Sequence, residues 1–167
     1  DPSTLEVIDS IDSGPRPHGI VASPDGRTLY ITLEVANEVI EVDVATHEIL
    51  RRASVGLVPN EPTLSADGRY LFVPLRGEGG TDVVDTETMT EIDTDTVTPG
   101  TQPLDLSAHD RPEQMVWRGN TGLVVAVGYG QTLLFVDVAN DYEMEVFHDV
   151  AANGVPKTVS FDLQGRL

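Results

Sequence analysis

Residues 17–43 read PHGIVASPDGRTLYITLEVANEVIEVD, and this stretch decides the fold. A short apolar run, Ile20-Val21-Ala22, leads into the turn signal Ser23-Pro24-Asp25-Gly26. Asp-Gly permits the positive φ of a tight hairpin, and Pro24 presets φ on entry. A second run rich in β-formers follows at Leu29-Tyr30-Ile31-Thr32. Polar residues around Asn37 make another turn, and a third run, Val39 to Val42, ends on Asp43. With the next segment this predicts four short strands, at about 18–22, 28–33, 38–42 and 49–55. Apolar residues do not alternate cleanly with polar ones, as expected of sheets packed on both faces. No segment carries a sustained helical period.

The stretch repeats. Asp25-Gly26-Arg27 recurs as Asp67-Gly68-Arg69, an offset of 42 residues. The same offset maps Pro17 onto Pro59, Ser23 onto Ser65, Tyr30 onto Phe72, Asp43 onto Asp85 and Thr46 onto Thr88. Extended backwards, it places Asp1 on Asp43 and Thr4 on Thr46. Pro112 leads a third copy, in which Val136-Asp137 matches Val84-Asp85, and Pro156 leads a fourth. One four-stranded sheet per repeat at this period describes a β-propeller, an all-β fold of antiparallel blades. The expected organisation is a single partial propeller domain. Residues 1–14 give an outer strand of a preceding blade, and 15–56, 57–100 and 112–154 give three blades. Residues 101–111 are an insertion, and 155–167 an inner strand of the next blade. The recurring Asp1, Asp43, Asp85 and Asp137 are expected to accept turn N–H groups two or three residues on.

Length and composition narrow the function classes. At 167 residues the chain can bury a core. A hydrophobic fraction of 40%, with 11 Pro and 15 Gly, suits a turn-rich β protein. The net charge of −18 repels polyphosphates, so nucleic acid is not an expected partner. Cations or a basic protein remain compatible with it. There is no cysteine, which excludes disulfides, thiolate metal sites and a cysteine nucleophile. No stretch approaches the roughly 18 apolar residues of a spanning helix. The first residues, Asp-Pro-Ser-Thr, do not read as a basic-then-apolar leader, as those of a processed chain would not either.

The repeat resembles the YVTN family of propeller repeats. That pattern runs from an apolar strand through Ser-Pro-Asp-Gly and Leu-Tyr-Val-Thr to a strand ending Asp-x-x-Thr. The eponymous tetrapeptide stands here as Tyr30-Ile31-Thr32-Leu33 and as Phe72-Val73-Pro74-Leu75. The resemblance covers nearly the whole chain, most closely residues 14–90. It implies a ring of about seven blades, so the chain is expected to be part of a longer propeller whose remainder the parent chain supplies. It also implies a periplasmic or extracellular setting.

In such a ring the first strand of each blade lines the channel. The residue after each repeat-leading proline is His18, Asn60, Glu113 and Lys157, and Glu61 follows Asn60. Rotationally equivalent positions project to equivalent radii. These five residues are therefore the candidate ligand site at the channel mouth, set against a channel merely wetted by tolerated polar groups. The imidazole of His18 offers metal ligation or general-base chemistry, and Glu61 and Glu113 offer oxygen ligands. No motif spacing specifies a metal, a cofactor or catalytic residues. His47 and His148 are expected on solvated turns or outer strands, and Trp117 between blades. Asp93, Asp95, Asp105, His109 and Asp110 suggest either an exposed charged edge or a calcium loop. Gly77-Glu78-Gly79-Gly80 has no following helix and so is no phosphate cradle, and no Gly-x-Ser-x-Gly elbow occurs.

Two function classes follow from the resemblance. One is a non-catalytic scaffold that holds a protein or small-molecule ligand at the channel mouth. The other is a propeller enzyme or redox subunit, similar to lactonases, a haem-binding nitrite reductase domain or amine dehydrogenase subunits.

Overall fold

The computed structural model describes residues 1, 3–77, 80–92, 112–118, 122–127, 132–137 and 143–149. Among these there are three four-stranded antiparallel meanders and no helix. Blade 1 holds β1 (Pro17–Ala22), β2 (Thr28–Leu33), β3 (Glu38–Asp43) and β4 (Ile49–Ser54). Blade 2 holds β5 (Thr63–Leu64), β6 (Tyr70–Pro74), β7 (Thr81–Asp85) and β8 (Thr90–Glu91). Blade 3 holds β9 (Pro112–Arg118), β10 (Gly122–Val127), β11 (Thr132–Asp137) and β12 (Glu143–Asp149). The leading prolines of blades 1 and 2 keep one register, Pro17 facing Leu33 and Pro59 facing Leu75, while in blade 3 Pro112 faces Val127, one residue nearer in sequence. Blades 1 and 2 therefore superpose in sequence as the repeat requires.

The turns show why these residues form these hairpins. Gly26 and Gly68 take φ of +71° and +76°, which glycine adopts without a Cβ clash. In the first turn Ser23 Oγ donates to Asp25 Oδ1 at 2.6 Å and accepts the Thr28 N–H at 3.0 Å. The Arg27 N–H donates to the same Asp25 oxygen at 3.1 Å. Ser65, Asp67, Arg69 and Tyr70 repeat the pattern in blade 2.

At the other hairpin, Asp43 Oδ1 accepts the N–H groups of Ala45 and Thr46 at 2.8 and 2.7 Å. Asp1 does the same for Ser3 and Thr4, and Asp85 accepts from Glu87. The residue closing each of these turns is Leu5, His47 or Met89, all with positive φ near +55° to +60°. Each donates its N–H to the aspartate carbonyl, at 2.8, 2.9 and 2.7 Å. A left-handed non-glycine residue costs about 1–2 kcal/mol, which the anchored turn sustains.

Blades 1 and 2 pack face to face. Tyr30, Val39, Ala53 and Val55 of the first meet Leu64, Leu71, Val73, Leu75, Val84 and Met89 of the second in one core. The opposite face of blade 1 buries Ile31, Leu33, Ile40 and Val42, with Ile11 of the N-terminal segment against them. Both faces of β2 and β3 are thus covered, which explains their unbroken apolar runs. Residues 5–13 were expected to form an outer strand. They carry no ladder, and Leu5, Val7 and Ile8 are exposed.

At the outer side, Arg51 on β4 forms a fork with the buried carboxylate of Glu41 on β3. Its remaining donors reach the Thr86 and Glu87 carbonyls of blade 2 at 2.8 and 2.6 Å. One guanidinium therefore neutralises a buried charge and ties two blades together.

Candidate ligand site at the channel mouth

The leading end of β1 and the segment Asn60-Glu61-Pro62 run side by side. Their approach is close because residue 19 is glycine. A Cβ there would lie 2.5 Å from Pro62 Cδ and 2.6 Å from Glu61 Cα. The β1 ladder breaks by a register shift between Pro17 and Ile20. This bulge withdraws the Gly19 N–H from β2, and Thr32 Oγ1 accepts it instead, at 2.9 Å. The same hydroxyl donates to the Asn60 carbonyl, also at 2.9 Å. Thr32, fully buried, thereby couples the bulge of blade 1 to the inner segment of blade 2.

Beside this junction, His18 Nδ1 stands 4.0 Å from Glu61 Oε1, with side chains 29% and 34% exposed. That separation exceeds a hydrogen bond. The two side chains stand side by side, an imidazole next to a carboxylate. Glu61 also forms a parallel backbone bridge with Gln114 on β9, so blade 3 joins the same rim. Glu113 is the preceding residue of β9. Asn60 is buried, with its carbonyl engaged by Thr32. Lys157 lies outside the described residues.

The structure thus brings His18 and Glu61 together at the rim and puts Asn60 beneath it. Among the described residues no three His, Asp or Glu side chains are grouped to hold a metal ion. His47 is exposed on the β3–β4 turn, as expected, and there pairs its Nδ1 with Asp9 Oδ2. The Ser10 N–H and His47 together hold the Asp9 carboxyl below its ordinary value. Trp117 and His148 fall on β9 and β12. The acidic stretch from Asp93 to Asp110 lies outside the described residues.

The sequence reading missed a second charged group on this end of the blades. Glu34 follows β2 and is buried, its side chain 6% exposed, with Arg16 Nε 2.8 Å from its Oε2. Arg76 occupies the equivalent position in blade 2 and sets Nη1 4.0 Å from Glu34 Oε1. The available signal was a charge reversal at one repeat position, Glu34 against Arg76.

Comparison with solved structures supports the architecture. The chain is similar to Kuenenia stuttgartiensis hydrazine synthase at 23% identity and a TM-score of 0.71, covering 89% of this chain and 42% of that one. It is similar to the dihydro-heme d1 dehydrogenase NirN, solved in complex with DHE, at 20% identity and a TM-score of 0.67, covering 98% and 34%. It is also similar to PpgL, the periplasmic gluconolactonase of Pseudomonas aeruginosa, at 18% identity and a TM-score of 0.56, covering 79% and 39%. At these identities the likeness establishes the fold: the three meanders are blades of a β-propeller. The chain spans less than half the length of each of these structures. No protein-family model matches it, and no curated protein matches it. No helix among the described residues is long and apolar enough to cross a membrane.

Proposed function

We propose that this chain is a YVTN-type propeller arc that binds a small polar ligand at the channel mouth, as a scaffold and without turnover. The single observation that carries the reading is the meeting of His18 and Glu61 from neighbouring blades, partly exposed and 4.0 Å apart. Most other charged contacts of blades 1 and 2 are absorbed by turns and blade clamps. This pair sets a partly exposed imidazole beside a partly exposed carboxylate, a donor–acceptor set suited to hydroxyl or carbonyl groups. A periplasmic or extracellular setting belongs to the same proposal, in keeping with the periplasmic gluconolactonase among the similar structures.

A second reading is a propeller enzyme or redox subunit. It is favoured by the likeness to a gluconolactonase and to a dihydro-heme d1 dehydrogenase. In that reading His18 is the general base and Glu61 the group that orients it. Titration calorimetry and pH-stat hydrolysis with glucono-1,5-lactone, and absorbance titration with haemin, separate the two. Saturable binding without hydrolysis, weakened about tenfold or more by His18→Ala and Glu61→Gln, supports the scaffold. Hydrolysis or a haem spectrum lost in the same variants supports the second reading. Binding indifferent to both variants overturns the site.

A further inference from the structure

We propose that Arg16 and Arg76, anchored by the buried Glu34, form an oxyanion subsite on the same mouth, recognising the carboxylate or phosphate of a small acid. The inference rests on reading this end of the blades as the ligand mouth. The register places the group there. Pro17 faces Leu33 and Pro59 faces Leu75, so Arg16, Glu34, Val58 and Arg76 are the next residues outward. Backbone bonds fix both loops: the Glu34 N–H donates to the Arg16 carbonyl at 3.1 Å, and the Arg76 N–H to the Val58 carbonyl at 3.0 Å.

The charges are arranged for an anion. A carboxylate as buried as Glu34 requires compensation, and the two guanidiniums supply more than one negative charge needs. Glu34 Oε2 is sealed from solvent, so Glu34 holds the arginines and does not meet the ligand itself. Arg16 sets its Nε 2.8 Å from Glu34 Oε2 as an ion pair without hydrogen-bond alignment, and its side chain is 66% exposed. Among the described residues, neither Nη group of Arg16 has a hydrogen-bond partner. Arg76 has only the 4.0 Å approach to Glu34. Two guanidiniums from adjacent blades, beside one carboxylate, carry the fork that binds carboxylate and phosphate. The net charge of −18 does not forbid this. At physiological salt the screening length is about 8 Å, so neighbouring charges decide. At the subsite itself two guanidiniums stand against the one carboxylate of Glu34.

The test is titration calorimetry of the full chain with inorganic phosphate and, separately, with succinate at constant ionic strength. Saturable binding of either probe is expected, weakened about tenfold by Arg16→Gln and by Arg76→Gln. The tighter probe identifies which oxyanion the subsite prefers. Arg16→Gln removes a charge that compensates buried Glu34, so its folding is checked by thermal unfolding, and Arg16→Lys, which keeps the charge and loses the fork, is expected to weaken binding about threefold. If Arg76→Gln fails to fold, Arg76→Lys, which keeps charge and loses the fork, is expected to weaken binding about threefold. Binding of the uncharged glucono-1,5-lactone by Arg16→Gln, expected to be retained, separates failure of this subsite from failure of the His18–Glu61 site. No saturable binding by the parent overturns the proposal, as does an equal loss on substituting Arg27, an exposed turn arginine far from the mouth.

Discussion

Replacing Thr32 by valine tests the junction beneath the site. Valine keeps the shape and removes the hydroxyl. Two buried groups then lose their partner: the Gly19 N–H, which donates to Thr32 at 2.9 Å, and the Asn60 carbonyl, which accepts from it at 2.9 Å. The bulge prevents Gly19 from recovering a ladder bond, since β1 and β2 are out of register there. A buried group left unpaired costs about 1–3 kcal/mol, a donor more fully than a carbonyl with a second lone pair. Thr32→Val is therefore expected to destabilise by about 2–4 kcal/mol. Thr32→Ser keeps the hydroxyl and loses one methyl, for about 1 kcal/mol. Urea unfolding gives both values, with the slope unchanged because the surface exposed on unfolding is the same. A Thr32→Val penalty below about 0.5 kcal/mol, or one no larger than that of Thr32→Ser, would refute the reasoning.

Three further perturbations probe the blade contacts and the turns. Gly19→Ala drives a Cβ to 2.6 Å from the Glu61 backbone, so the blades must part; a loss of about 1–3 kcal/mol is expected, read as a lower thermal midpoint. Arg51→Ala leaves Glu41 buried and uncompensated and frees two carbonyls of blade 2. The full penalty for a broken buried pair is about 3–5 kcal/mol, and the half-exposed guanidinium reduces it to about 2–3 by urea unfolding. Asp43 is held below 3.8 by the Thr46 N–H, Asp25 by Ser23 and Asp67 by Ser65. Burial pushes Asp85 up, but Arg69 and the turn N–H groups bring it below 3.8. For a depressed carboxylate the stabilisation is complete above the unfolded value and lost as pH falls through the folded one. With surface repulsion screened by added salt, the urea midpoint is expected to hold from pH 7 to 5 and drop below about pH 4. A midpoint that rises as pH falls below 4 would contradict this.

The strands and turns of blade 1 were legible because each rests on local chemistry. Ser-Pro-Asp-Gly dictates its own hairpin, and the aspartates at the strand ends cap theirs. The left-handed Leu5, His47 and Met89 were not legible, since no residue type there signals positive φ. The rim was half legible. Repeat equivalence put Asn60 opposite His18, and the shared register of Pro17 and Pro59 agrees. Which side chain reaches solvent depends on the bulge at His18-Gly19, and a hydrophobic pattern does not encode a bulge. Asn60 is consequently buried while Glu61 comes to the rim. Thr32 acquires its role only once that bulge exists. Glu34 and Arg76 read as scattered surface charges until the blades are set side by side.

The central claim is that neighbouring blades meet with His18 facing Glu61 at one mouth. The chain has no cysteine, so introduced thiols are the only ones present. Carrying His18→Cys with Glu61→Cys, the protein is treated with a short reagent that fluoresces only when it joins two thiols. The account predicts efficient bridging in this pair and none with His18→Cys and His47→Cys, because His47 closes the turn at the opposite end of the blade. Absence of bridging in the first pair, or equal bridging in both, would contradict it.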